Sequence, residues 1–266
     1  MRLHIDDAEL DFLDDGSGTA IALLHGFPLA KEIWDAQTAV LRERARVVRL
    51  DLRGLGTSRG GPGPYLMEML AGDVAGVLDA LGIDRAIVVG HSLGVYVTYA
   101  FFRMFAERVL GLGLVCGRAE ADAEPVAARR SVLADDAERN GIGLVADEYL
   151  PRLFAPQTYA ERPDVVERVR EIVMRTDPYG AAAVLRGMAV RLTAEDLLSE
   201  IRVPTRVVAG RADAFVPLDV QRATASKIAG AELDAIDSGH LPQLERPQEL
   251  TAILAALLDD VKRFGR

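Results

Sequence analysis

The chain has 266 residues, enough for one large α/β domain with an insertion or for two small domains; half are apolar and 27% are charged. That balance excludes disordered, collagen-like and coiled-coil chains, and the longest uninterrupted apolar run, 252–258, falls far short of the roughly 18 residues that a membrane helix needs. Against 31 Lys and Arg stand 40 Asp and Glu, a net charge of −9, which repels nucleic acid and anionic membranes and points to a small-molecule partner.

The first residues, Met1-Arg2-Leu3-His4-Ile5-Asp6-Asp7, carry carboxylates where a secretory signal needs an apolar stretch, so a cytoplasmic location is expected. Strands are expected over 2–6, 9–14, 20–24, 46–50, 85–90, 109–115, 205–209 and 231–236. Helical periodicity lies between them over 30–43, 66–81, 93–106, 219–229 and 248–262. Such alternation signals βαβ units around a mostly parallel sheet. It is interrupted over 117–201, where only helical stretches are read, near 124–138, 143–153, 163–175 and 179–191. Cys116, the lone cysteine, cannot pair, the four histidines show no HExxH spacing, and no lysine follows a glycine as a P-loop requires. No metal ligand set is expected.

Residues Gly90-His91-Ser92-Leu93-Gly94 follow an apolar strand and precede a helical pattern. A turn this sharp tolerates little bulk beside the serine and holds its hydroxyl above the sheet, which makes Ser92 the candidate nucleophile. A serine hydroxyl needs a base, and the usual one is a histidine oriented by a carboxylate. His240, in the loop after the last strand, is the candidate base; His4 is read as a surface or edge residue, and His25 and His91 as partners in buried loop hydrogen bonds. Asp213, four residues past the strand at 205–209, is the candidate acid, ahead of Asp219 and Asp237. The backbone N–H groups of Leu93 and of Phe27, in His25-Gly26-Phe27-Pro28, are the candidate oxyanion donors, since Pro28 has none.

These residues resemble the α/β-hydrolase superfamily, in the branch of small capped serine hydrolases that includes esterases and 3-oxoadipate enol-lactonase-like enzymes. The matching motifs are His25-Gly26-Phe27-Pro28, Asp51-Leu52-Arg53-Gly54-Leu55-Gly56-Thr57-Ser58, Gly90-His91-Ser92-Leu93-Gly94, Gly210-Arg211-Ala212-Asp213 and Gly239-His240-Leu241-Pro242. The resemblance implies an α/β-hydrolase fold: a mostly parallel eight-stranded sheet flanked by helices, with a helical cap inserted after strand six. The core would then be 1–116 and 202–266, and the cap 117–201. Ser92, Asp213 and His240 take the nucleophile, acid and base positions, and the Asp51–Ser58 stretch is of structural character. Where many relatives carry a second glycine after the pentapeptide this chain has Val95, which is expected to narrow the floor behind the serine or shift the helix packing, and to favour smaller acyl groups.

The expected reaction is hydrolysis of a small carboxylic ester or lactone through an acyl-enzyme, without a cofactor. Carbon–carbon bond hydrolysis or perhydrolysis by the same triad, or a slow ligand-sensing module, are the alternatives. Trp34, Tyr96, Phe154 and Phe215, with Met174, Tyr179 and Met188, are candidate apolar lining of the substrate pocket. An anionic substrate needs an inward-pointing arginine such as Arg129, Arg130 or Arg152.

Overall fold

Two short, almost wholly apolar stretches, 20–24 and 86–90, lie at the centre of the sheet. In the computed structural model, which describes residues 1–265, the strands are β1 (Arg2–Ile5), β2 (Ala8–Gly16), β3 (Ala20–Leu24), β4 (Arg46–Leu50), β5 (Ala86–His91), β6 (Val109–Val115), β7 (Thr205–Gly210) and β8 (Glu232–Ile236). They form one sheet in the order β1-β2-β4-β3-β5-β6-β7-β8. β3 and β5 are buried at every residue, the pattern of parallel strands covered on both faces. Only β2 runs against its neighbours, and every pairing from β4 across to β8 is parallel. The loops that leave β3, β5, β6, β7 and β8 therefore open at one edge of the sheet, where an open α/β sheet binds its ligand.

Helices α1 (Asp35–Leu41), α2 (Met67–Ala80) and α3 (Leu93–Phe105) alternate with the first strands. Between β6 and β7 the described chain is helical only: α4 (Glu124–Asn140), α5 (Gly143–Tyr149), α6 (Pro156–Glu161), α7 (Pro163–Met174), α8 (Pro178–Ala189) and α9 (Glu195–Leu198). Proline opens α6, α7 and α8 and sits in the first turn of α4, where its missing N–H leaves no hydrogen bond unmade. α4 lies along α8, tied by Arg186 to Asp135 at 2.7 Å and to Glu138 at 2.5 Å. The last elements are α10 (Leu218–Lys227), α11 (Pro242–Glu245) and α12 (Pro247–Phe264); α2 packs with α3, and α1 with α12. Among the described residues no helix is long and apolar enough to cross a membrane.

The differences from the sequence expectations are local. The helix expected over 30–43 begins as a 3₁₀ turn, Lys31–Trp34, before α1. The one expected over 143–153 leaves α geometry at Tyr149 and finishes as a 3₁₀ turn around Pro151, which cannot continue the α-helical hydrogen bonds. Helices α6, α9 and α11, of four to six residues, were not anticipated, because such short pieces show no periodicity.

Candidate active site

β5 ends at His91 and α3 begins at Leu93, so the chain reverses around Ser92 alone, at φ 53° and ψ −112°. A side chain rarely adopts that conformation, and the surroundings enforce it. A Cβ on Gly90 would lie 2.2 Å from the Gly94 carbonyl oxygen, and one on Gly94 would lie 2.4 Å from that of Leu24. The His25-Gly26-Phe27 loop approaches just as closely, for a Cβ on Gly26 would lie 2.6 Å from His91 Nδ1 and 3.0 Å from Ser92 Cβ. Leu93, the first residue of α3, and Phe27 have backbone N–H groups that meet no acceptor among the described residues.

Asp213 sits on the loop after β7. Its Oδ1 accepts from the amides of Phe215 at 2.8 Å and Val216 at 3.0 Å, and its Oδ2 accepts from His240 Nδ1 at 2.8 Å. Burial pushes this carboxyl up, but the His240 ring beside it, its hydrogen bond and the two amides outweigh burial and hold it below the usual aspartate value. With Nδ1 committed to Asp213, Nε2 is the ring nitrogen left for chemistry, and His240 and Ser92 line the same cavity.

The backbone around His240 is fixed from the helical insertion. The His240 amide donates to the Leu153 carbonyl at 2.9 Å, and its own carbonyl accepts from His91 Nε2 at 2.7 Å. Glu245, buried in α11, joins the two segments: Oε1 accepts from the Gly239 amide at 2.7 Å, while Oε2 accepts from the Ala155 amide at 2.9 Å and the Thr158 hydroxyl at 2.6 Å. Sequence reasoning missed Glu245, since one carboxylate in an unanticipated helix carries no signal. Glu245→Ala leaves three buried donors without an acceptor and is expected to cost roughly 3 kcal/mol of stability and to lower kcat. Denaturant unfolding checks this, and a change below about 0.5 kcal/mol would contradict it.

Cys116, Asp213 and His240 bring one ligand atom each within 4.8 Å of one another. A metal there would have to replace the Asp213–His240 hydrogen bond, and burial followed by the Asp213 charge pushes the Cys116 thiol well up, towards its neutral form. The thiol is better suited to packing beneath Asp213 than to ligation.

His25 and His91 occupy the buried hydrogen-bonding roles read from the sequence. His25 Nε2 accepts from the Leu52 amide at 2.9 Å, so Nδ1 donates to the Gly26 carbonyl at 2.9 Å; His91 donates from Nε2, leaving Nδ1 buried and unpartnered. Burial lowers both below the ordinary 6.5, in His91 well below and with help from the nearby His240. The unfolded chain therefore binds protons that the folded one refuses. This contribution to stability is fully present above about pH 6.5 and is lost as the pH falls below it, at up to about 1.4 kcal/mol per unit per histidine. The protein is expected to be less stable to denaturant at pH 5.5 than at pH 7.5, and equal stabilities would contradict two neutral buried rings.

Ser92 and His240 open into a cavity of about 330 Å³. Of the expected apolar lining, Tyr96, Met188 and Phe215 are on its wall. Trp34 and Phe154 are not: Trp34 is wholly buried in the core, and Phe154 packs edge-on against Tyr159 beneath the His240 loop. Met174 and Tyr179 are exposed elsewhere. Helical spacing marks a residue such as Trp34 as buried on one side without saying against what. Val95 does not reach the cavity either; it is buried against Gly117, where a Cβ would lie 2.5 Å from Val95 Cβ, so the missing side chain at Gly117 accommodates the extra bulk. The Asp51–Ser58 stretch is bound into the core through Asp51, which accepts from the Lys31 amide and ammonium, each at 2.8 Å, and from the Thr57 amide at 2.9 Å. Arg129, Arg130 and Arg152 line the cavity, joined by Arg118 and Tyr149, which the sequence reading did not single out. Arg118 follows β6 at the same sheet edge as Ser92, the one signal that could have found it.

Residues 21–253 match the model of the alpha/beta hydrolase family. A protein of Azorhizobium caulinodans provisionally named the carbamate hydrolase RutD is 31% identical over 242 residues, 89% of either chain. Among solved structures, a thermophilic esterase from Thermogutta terrifontis with malate bound is 36% identical at a TM-score of 0.96, covering 98% of this chain and 99% of that one. The enol-lactonase from Burkholderia xenovorans LB400 is 29% identical at a TM-score of 0.91, covering 97% and 100%.

Proposed function

Since the chain belongs to the alpha/beta hydrolase family, we propose that it is a serine hydrolase cleaving a small carboxylic ester or lactone through an acyl-enzyme. The observation that carries this reading is the 2.8 Å hydrogen bond between His240 Nδ1 and Asp213 Oδ2, with Ser92 and His240 on one cavity wall. The esterase and enol-lactonase among the similar structures support it.

Ser92 Oγ attacks the substrate carbonyl carbon as its proton passes to His240 Nε2. Asp213 holds the ring in the tautomer that accepts this proton and stabilises the imidazolium that results. The negative charge that gathers on the carbonyl oxygen is met by the Phe27 and Leu93 amides, which have no competing acceptor to give up. His240 then returns the proton to the leaving oxygen: an ester releases its alcohol, whereas a lactone opens and keeps its hydroxyl on the acyl chain. Water attacks the acyl-enzyme with His240 again as base, the acid departs and Ser92 recovers its proton. Residues 117–201 act as a cap, and the bond from the His240 amide to their Leu153 carbonyl ties the base to it.

Hydrolysis of p-nitrophenyl acetate, butyrate and octanoate tests this. A burst approaching one equivalent, or steady multiple turnover above the buffer rate, is expected; absence of both would overturn the reading, and a burst without turnover would favour a slow sensing module.

A further inference from the structure

The cavity wall carries more positive charge than its own carboxylates neutralise. Four arginines, Arg118, Arg129, Arg130 and Arg152, line it against two acids, Asp122 and Glu148. Both acids are committed. Asp122, whose side chain is only 4% exposed, is held between Arg130 at 2.6 Å and Arg191 at 2.8 Å, and Glu148 pairs with Arg129 at 2.6 Å. Among the described residues neither Arg118 nor Arg152 has a carboxylate within salt-bridge distance. Each donates instead to the acid loop, Arg118 to the Phe215 carbonyl and Arg152 to the neighbouring Ala214 carbonyl at 3.2 Å. Two guanidinium groups are thus held on adjacent carbonyls beside the triad. The Arg152 guanidinium lies 4.3 Å over the Phe215 ring, whose centroid is 4.8 Å from that of His240.

Like charges gathered on one wall repel, and a chain of net charge −9 has carboxylates to spare for neutralising them. Among the described residues it supplies none to Arg118 or Arg152. Each guanidinium has five N–H donors in a planar fork suited to a carboxylate, and main-chain carbonyls use only part of that set. We propose that Arg118 and Arg152 bind a carboxylate on the substrate, so that the enzyme prefers the monoester or lactone of a dicarboxylic acid to a neutral ester. The identity of the broken bond rests on the serine-hydrolase reading; the anion site does not.

The test compares mono-(4-nitrophenyl) glutarate with its methyl ester, which differs by one charge. For the wild type, kcat/KM is expected to favour the free carboxylate by roughly tenfold or more, and Arg118→Gln/Arg152→Gln is expected to lower that ratio by roughly tenfold, with the Lys pair, which keeps the charge and loses the planar fork, retaining part of it. The ratio is the readout because both arginines also brace the Asp213 loop and their loss affects every substrate. Should the double variant fail to fold, Arg152→Gln alone, at an exposed position, carries the comparison. Glutarate binding to Ser92→Ala, followed by calorimetry, gives a readout without turnover and is expected to vanish with both arginines replaced. A wild-type ratio near or below one, a ratio unmoved by the substitutions, or phosphate binding more tightly than glutarate would overturn the proposal. Glutarate binding that depends on the arginines in a protein that cleaves no ester would uphold the anion site and overturn the hydrolase reading, whereas equal, Ser92-dependent cleavage of both esters would do the reverse.

Discussion

Ser92→Ala is expected to lower kcat/KM for p-nitrophenyl butyrate by about 10⁴-fold or more and to leave the unfolding midpoint near that of the wild type. The two halves of this expectation have separate causes. The substitution removes one hydroxyl that has no hydrogen-bond partner among the described residues, while the Ser92 amide still donates to Val115 at 2.9 Å and the flanking glycines still permit the reversal. In the proposed mechanism that hydroxyl makes the attack, and the amides of Phe27 and Leu93 stabilise an oxyanion only after something has attacked. Adding His240→Gln to Ser92→Ala is expected to cost little more, because groups that act as a unit are lost as a unit. Residual activity within tenfold of the wild type would contradict the role of Ser92.

Asp213→Asn is expected to lower kcat by about 10⁴-fold, for a different reason. An asparagine can keep its carbonyl oxygen on the Phe215 and Val216 amides, as Oδ1 is now, and this places its NH₂ towards His240 Nδ1. Nδ1 must then accept, the ring proton moves to Nε2, and the nitrogen that should take the Ser92 proton is already occupied. Little of the fold is disturbed, so the loss is expected in kcat with a much smaller change in stability. Steady-state kinetics beside denaturant unfolding separates the two, and an Asn variant as active as the wild type would contradict an orienting role for Asp213.

The parts of the fold that sequence made legible are those with strong local patterns. β3 and β5 read as buried strands because every residue in them is apolar or glycine up to the closing histidine of β5, and the helical run between β6 and β7 followed from proline-punctuated amphipathic stretches. The candidate site was legible for a related reason: Ser92, Asp213 and His240 each follow a strand, and parallel strands bring such positions to one edge. Contacts between distant segments carry no comparable pattern. Glu245 bonds to residues 90 and 87 positions away, and the accommodation of Val95 by Gly117 is visible only once α3 meets the loop after β6. Trp34 shows the complementary limit, because an aromatic residue in a periodic segment is buried whether it faces a core or a cavity.

The central claim is that Ser92 is a nucleophile activated by His240, and covalent capture tests it most directly. Incubation with a fluorophosphonate, followed by intact-mass and peptide analysis, is expected to give one adduct per chain, located on Ser92, absent from Ser92→Ala and formed far more slowly in His240→Gln. A wild-type protein that forms no adduct, or forms it at a residue other than Ser92, would contradict the account.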